Sequence, residues 1–153
     1  MTAREYTNKN AAVIAAIRDY RDILFIIDNT PDEAKELYDK MIAPHSAMLT
    51  GLPSVRNPKA GAEYLSSQID SMDKMKERYI VAAEFMAWFE PAWSYLTDTE
   101  QHFLTEFYAA DNKRSGATYR LMAEFGYCES KVERIRAQAL KHLRTLLYGE
   151  LRD

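Results

Sequence analysis

Two stretches of the chain place mostly apolar side chains at alternating steps of four and three, and this spacing restricts the fold more than any other feature. Val13, Ile17, Tyr20, Leu24 and Ile27 form the first; Gln68, Met72, Met75, Tyr79, Ala82, Met86 and Phe89 form the second. A mean repeat of about 3.5 residues keeps one face of an α-helix in line, so each stretch predicts a helix with a heptad seam. Thr7 is the expected N-cap of the first. Ala34, Tyr38 and Met41 continue its register past Pro31, which predicts one long helix kinked at the proline. The second helix is expected from Ala60 to about Glu90, ended by Pro91. Helices of matched length pair antiparallel, and the Met-rich seam reads as a forgiving core. The connector 43–59 holds Pro44, Gly51, Pro53 and Pro58 and is long for a bundle. Its Met48, Leu49, Leu52 and Val55 either pin it to the helices or meet a partner. A lone two-helix hairpin buries little, so a third helix or a second subunit is expected to complete it.

Composition narrows the alternatives. Only 5 Gly and 5 Pro in 153 residues argue against the many tight turns of a β-sandwich. The single cysteine, Cys128, excludes an internal disulfide and fits a reducing cytoplasm. No basic-then-apolar leader opens the sequence. The longest nearly uncharged stretch, 79–89, is well short of the ~20 residues of a membrane helix. A cytoplasmic protein without membrane contact is the expectation. Its charge is uneven: residues 112–153 carry nine Lys and Arg against five Asp and Glu, while the first 111 carry 11 against 18. A basic tail on an acidic body suits contact with a polyanion, although a solvated helix face would also account for it.

Eight aromatics between Phe85 and Tyr108 predict a joint where the hairpin packs on the rest of the chain. Thr97 and Glu100 form a capping box opening a helix that turns Phe103, Leu104 and Phe107 inward and ends near Ala110. After a polar loop, a short helix with Tyr119, Leu121, Met122 and Phe125 closes at Gly126 in a left-handed cap. A longer helix, 129–148, then buries Val132, Ile135, Ala139, Leu143, Leu146 and Leu147. Short helix, glycine turn, longer basic helix is the order of a helix-turn-helix. At 100° per residue, Ser130, Arg134, Ala137, Gln138 and Lys141 lie opposite the apolar stripe, flanked by Lys131 and Glu133. Arg136 falls at the margin and reads as an ion-paired structural residue. Arg can fork onto guanine, Gln onto adenine, and Glu can accept from cytosine. Candidate base-reading residues are therefore Glu129, Ser130, Lys131, Glu133, Arg134 and Gln138. Candidate phosphate contacts are Lys113, Arg114, Arg120 and Lys141.

Leu96 to Leu147 resembles region 4 of sigma-70-type transcription factors, above all in Val132-Glu-Arg-Ile-Arg-Ala-Gln-Ala-Leu-Lys-His-Leu-Arg144. Nearly the whole chain is similar to the phage-encoded ArpU/RinA-like regulators of late genes. The shared features are two long helices, a Leu49-Thr50-Gly51-Leu52-Pro53 loop and the terminal module. Against sigma-70 region 4, Cys128 stands where that family has a Ser or Thr cap, and Met122 where it has a small residue. Glu129, Ser130, Glu133 and Arg134 replace its usual basic, acidic, basic and amide residues, so a standard promoter element is not the expected target. Nothing resembles a promoter-melting region.

The resulting expectation is an all-α protein in two parts. Residues 1–93 form a long antiparallel, coiled-coil-like helical hairpin for dimerisation or partner docking. Residues 94–153 form a small helix-turn-helix DNA-binding domain. The resemblance implies a sequence-specific transcriptional regulator of phage or prophage origin. Double-stranded DNA is its partner, and its hairpin either forms a homodimer or docks on RNA polymerase. A small-terminase-like packaging protein and a protein-only helical adaptor are the alternatives. No enzyme, cofactor or metal is expected: His45, His102 and His142 are scattered, and no phosphate loop or nucleophile signature occurs.

Overall fold

The structure, a computed structural model, describes residues 8–42, 58–109 and 116–149. Five α-helices follow in order: α1 (Lys9–Ile42), α2 (Pro58–Tyr95), α3 (Asp98–Leu104), α4 (Ala117–Phe125) and α5 (Glu129–Tyr148), with a π-helical turn at Thr105–Ala109 after α3. The fold is all-α, and no strand occurs among the described residues. The long helices α1 and α2 touch each other, as the 5.1 Å approach of the Tyr20 and Phe89 rings shows. None of the described helices is long and apolar enough to cross a membrane.

Both long helices run through a proline. Pro31 lies inside α1, as the unbroken register predicts. Pro91 was expected to end α2, yet the helix continues to Tyr95. The reason lies in what each side of the helix faces. Pro91 is exposed, whereas Phe89, Ala92 and Leu96 are buried. The hydrogen bond lost to the ring falls on the solvent side, where a carbonyl can turn to water. Interrupting the helix would expose the apolar side, and a fully buried phenylalanine alone contributes about 1.5–3 kcal/mol. The cap of α1 is Asn8, whose Oδ1 accepts from the N–H groups of Asn10 (3.1 Å) and Ala11 (3.3 Å). Thr7, the expected cap, and most of the 43–59 connector lie outside the described residues.

The chain divides into two compact units: Met1–Leu24 with Glu84–Asp153, and Phe25–Ala83. The first draws on residues both before and after position 93. It holds a continuous core in which Val13 and Ile17 of α1, Phe85 and Phe89 of α2, Phe103 and Leu104 of α3, Leu121 of α4 and Val132, Ala139 and Leu143 of α5 are buried. The aromatic joint predicted around Phe85–Tyr108 forms here. Phe89 stacks on Phe85 (5.2 Å) and Trp93 (5.6 Å), Trp88 meets the edge of Tyr148 from α5 (6.0 Å), and Phe103 meets Phe125 from α4 (5.4 Å). Tyr20 adds a polar tie, donating its hydroxyl proton to Glu90 Oε2 at 2.6 Å. Burial, then the neighbouring Glu90 carboxylate, pushes that phenol well above its ordinary pKa. In the second unit Thr30 is buried and Arg78 donates to Glu33 at 2.7 Å.

The Thr97 capping box is complete. Thr97 Oγ1 accepts from the Glu100 N–H (3.3 Å), and the Glu100 carboxylate accepts from the Thr97 N–H (2.9 Å). Its other oxygen lies 2.8 Å from His142 Nδ1, which ties α3 to α5. The helix that follows keeps Phe103, Leu104, Phe107 and Tyr108 inward, and its last described turn, Thr105–Ala109, is π-helical.

Burial raises the Glu100 pKa, but the Thr97 N–H, the His142 ring and the Thr97 hydroxyl outweigh it and hold the carboxyl below its ordinary 4.5. A carboxyl lowered by folding stabilises at pH above its unfolded pKa, and that contribution disappears as pH falls through the folded value. Glu100→Gln is therefore expected to cost about 0.5–2 kcal/mol at pH 7. The difference from wild type should shrink at pH well below 4.5. Chemical denaturation across that range measures it.

Candidate nucleic-acid interface

The interface is built from the rotation of α5. This helix has to bury its apolar stripe, and Val132, Ala139 and Leu143 have no accessible surface. Fixing that stripe inward turns the opposite side out, and Glu129, Ser130, Arg134, Ala137, Gln138 and Lys141 are all exposed. All of these but Glu129, for which no phase is predicted, sit in the phase that the sequence predicts. Ile135, Leu146 and Leu147 are half-buried at the stripe's edge.

The start of α5 is set by the turn before it. Gly126 caps α4 at φ 66°, a left-handed conformation that glycine adopts without a Cβ penalty, and its N–H donates to the Met122 carbonyl at 2.9 Å. Cys128 then occupies the N-cap of α5 in extended backbone, and its side chain makes no capping hydrogen bond. Its thiol instead lies 3.3 Å from the Ser130 hydroxyl, the first of the contacts that hold it below the usual thiol pKa. The cap position that the sequence assigns to Cys128 is thus occupied, without the bond that a Ser or Thr would supply.

Apart from Ser130, whose hydroxyl lies beside the Cys128 thiol, three candidate residues are engaged by the protein itself. Glu133 accepts from Arg136 Nη2 at 2.5 Å and from the Thr118 hydroxyl at 3.3 Å. Arg136 also donates to the Tyr108 hydroxyl at 2.9 Å and lies 5.2 Å from the Phe107 ring centroid. This network joins the π-helical turn, α4 and α5, and it makes Arg136 an ion-paired structural residue. Arg120 donates to Glu106 at 2.9 Å, so a phosphate would compete with an existing carboxylate for it. Lys131 is half-buried, with its ammonium 3.6 Å from the centroid of the Tyr127 ring, which stacks on Phe125. Lys113 and Arg114 lie outside the described residues.

The outward face is thus polar and mildly basic, with Arg134 and Lys141 as cations, Gln138 and Ser130 as neutral hydrogen-bonding groups, and Glu129 as the acid at its start. On α4, Tyr119 is 70% exposed, while Leu121 is fully buried. Residues 119 and 121 differ by 200° around a helix, so both cannot face one core, and Leu121 is the one that does. The partner of Arg136, Tyr108, was not foreseen; it lies in the π-helical turn. Among the described residues no three His, Cys, Asp or Glu side chains gather as metal ligands would. Comparison with protein-family models, curated proteins and solved structures returned no match.

The Glu133–Arg136–Tyr108 network predicts a selective response to substitution. Arg136→Ala leaves Glu133 and Tyr108 without their shared donor and should cost about 1–3 kcal/mol of stability. Arg134→Ala, two residues away on the exposed side, should change stability by less than about 0.5 kcal/mol. Thermal melts of the two variants, monitored by circular dichroism, compare them directly.

Proposed function

We propose that this chain is a sequence-specific DNA-binding transcriptional regulator of the helix-turn-helix type, of phage or prophage origin, working in the cytoplasm. Exposure of Ser130, Arg134, Gln138 and Lys141 along one side of α5 is the observation that carries this reading. A helix inserted in a major groove needs that side to be polar, unobstructed and able to donate, and its opposite side to be held rigidly. In this proposal Arg134 forks onto the N7 and O6 of guanine, and Gln138 pairs with adenine. Ser130, Glu129 and Lys131 contribute from the first turn, with Lys131 leaving the Tyr127 ring to do so. Lys141, Arg120, Lys113 and Arg114 meet phosphates. Glu133 contributes indirectly by holding Arg136, since its carboxylate is already occupied.

The long helices complete the proposal as an antiparallel, coiled-coil-like hairpin that either dimerises the chain or docks on RNA polymerase. A dimer would place two α5 helices on two half-sites and give the operator a matching twofold symmetry. The protein is acidic overall, with formal charge −3. Affinity for phosphate must then come from a few local cations, and binding should fall as salt rises with a slope near −0.9 per phosphate contact.

The test is selection of binding sites from random duplex DNA, followed by fluorescence-anisotropy titration of the selected site. Arg134→Ala should weaken binding to that site by about 1–3 kcal/mol and relax the preference at one base pair. Lys141→Ala should weaken selected and unrelated duplexes alike and reduce the salt slope by about one. Equal binding by wild type and Arg134→Ala would contradict the base-reading role. Failure of the wild type to retain any duplex at low salt would replace this reading with that of a protein-only adaptor.

A further inference from the structure

Within the Phe25–Ala83 unit, α2 carries an apolar row with much of its surface exposed. Leu65, Ile69, Met72, Lys76 and Ile80 are spaced four, three, four and four, which keeps them on one side of the helix; Met72, which the row shares with the seam, is half-buried. Leu65, Ile69 and Ile80 are 47%, 46% and 55% exposed. Lys76 is the one charge inside the row, and Asp73, also exposed, stands next to it one turn earlier.

We infer that this row is the contact between two copies of the chain, packed antiparallel across a twofold axis that passes midway between Asp73 and Lys76. In that register Asp73 of one copy faces Lys76 of the other, and the symmetry repeats the pair. The same axis sets Ile69 of each copy opposite Ile80 of its partner. One placement thus satisfies the charge in the row and covers two of its exposed isoleucines, which is the self-complementarity an isologous dimer requires. A parallel pairing would instead set Lys76 against Lys76, a repulsive arrangement. The contact from Ile69 to Ile80 spans about 17 Å of helix at 1.5 Å per residue, with Leu65 and the Lys76 stems extending its apolar cover. The inference rests on the proposed role of the long helices in association and is independent of whether α5 binds DNA.

Sedimentation equilibrium of the full-length protein tests it, with circular dichroism confirming that each variant is folded. The wild type should be a dimer at tens of micromolar. Lys76→Asp sets four carboxylates together across the axis, and Asp73→Lys sets four ammonium groups; each should weaken the dimer about tenfold or more, a change of about 1.4 kcal/mol. The double variant Asp73→Lys with Lys76→Asp restores opposite charges and should return to within about threefold of wild type, well inside 1.4 kcal/mol. A wild type that stays monomeric at the highest concentration would overturn the inference. So would a dimer insensitive to both single changes, or a folded double variant that stays as weak as the singles. Measuring duplex binding of the same variants separates this outcome from the DNA reading, because loss of self-association with retained binding of DNA by the monomer leaves α5's proposed role intact.

Discussion

The burial of one stripe of α5 is the constraint on which the rest depends. Val132, Ala139 and Leu143 are sealed against the core, so the helix cannot rotate about its axis without exposing them. A rotation of even 60° would bring one of these side chains to water and drive a polar neighbour into contact with Phe103 or Leu121. Each possibility costs on the order of 1–3 kcal/mol. The outward aspect of Arg134, Gln138 and Lys141 is therefore a consequence of packing elsewhere, and the side chains that would meet a ligand need no contribution of their own to hold the helix in place. The aromatic joint serves the same end. Trp88 against Tyr148 and Phe103 against Phe125 tie α5 and α4 to helices earlier in the chain.

Polar contacts at the margin refine this orientation. The Arg136 guanidinium, shared between Glu133 and Tyr108, fixes the helix along its length as well as around its axis. Glu100 does the same from α3 through His142. Such partly buried ionic contacts add little net stability compared with an apolar replacement, but leaving one partner alone is costly, so they favour a single arrangement over near alternatives. For a helix expected to present a few donors to matching acceptors, a single arrangement matters more than a large free energy of folding.

Much of this was legible in the sequence where one local rule decides the outcome. The capping box at Thr97 and Glu100, the left-handed turn at Gly126 and the phase of α5 each follow from residue type and spacing over a few positions. The reading that failed, the helix end at Pro91, is one in which distant packing overrules a local rule. Pro91 ends a helix in isolation, but here its ring faces water while Phe89, Ala92 and Leu96 hold the other side in the core. Glu133 looked able to read a base because its phase on α5 is nearly outward. Its carboxylate accepts from Arg136, three residues on along the same helix, while Tyr108 from the π-helical turn accepts from the other side of that guanidinium. The base-reading candidates narrow accordingly, with Arg134 and Gln138 left as the clearest.

The central proposal is that the outward side of α5 reads nucleic acid, with Arg120 and the basic residues before α4 meeting only phosphates. Amide chemical-shift mapping of the isotopically labelled full-length protein, titrated with a mixed-sequence duplex at low salt, addresses it residue by residue. The account predicts that the largest changes cluster at Glu129, Ser130, Arg134, Gln138 and Lys141, with smaller ones at the start of α4 and little along α2 between Leu65 and Ile80. Changes concentrated on the long helices, or a spectrum that the duplex leaves untouched, would contradict it.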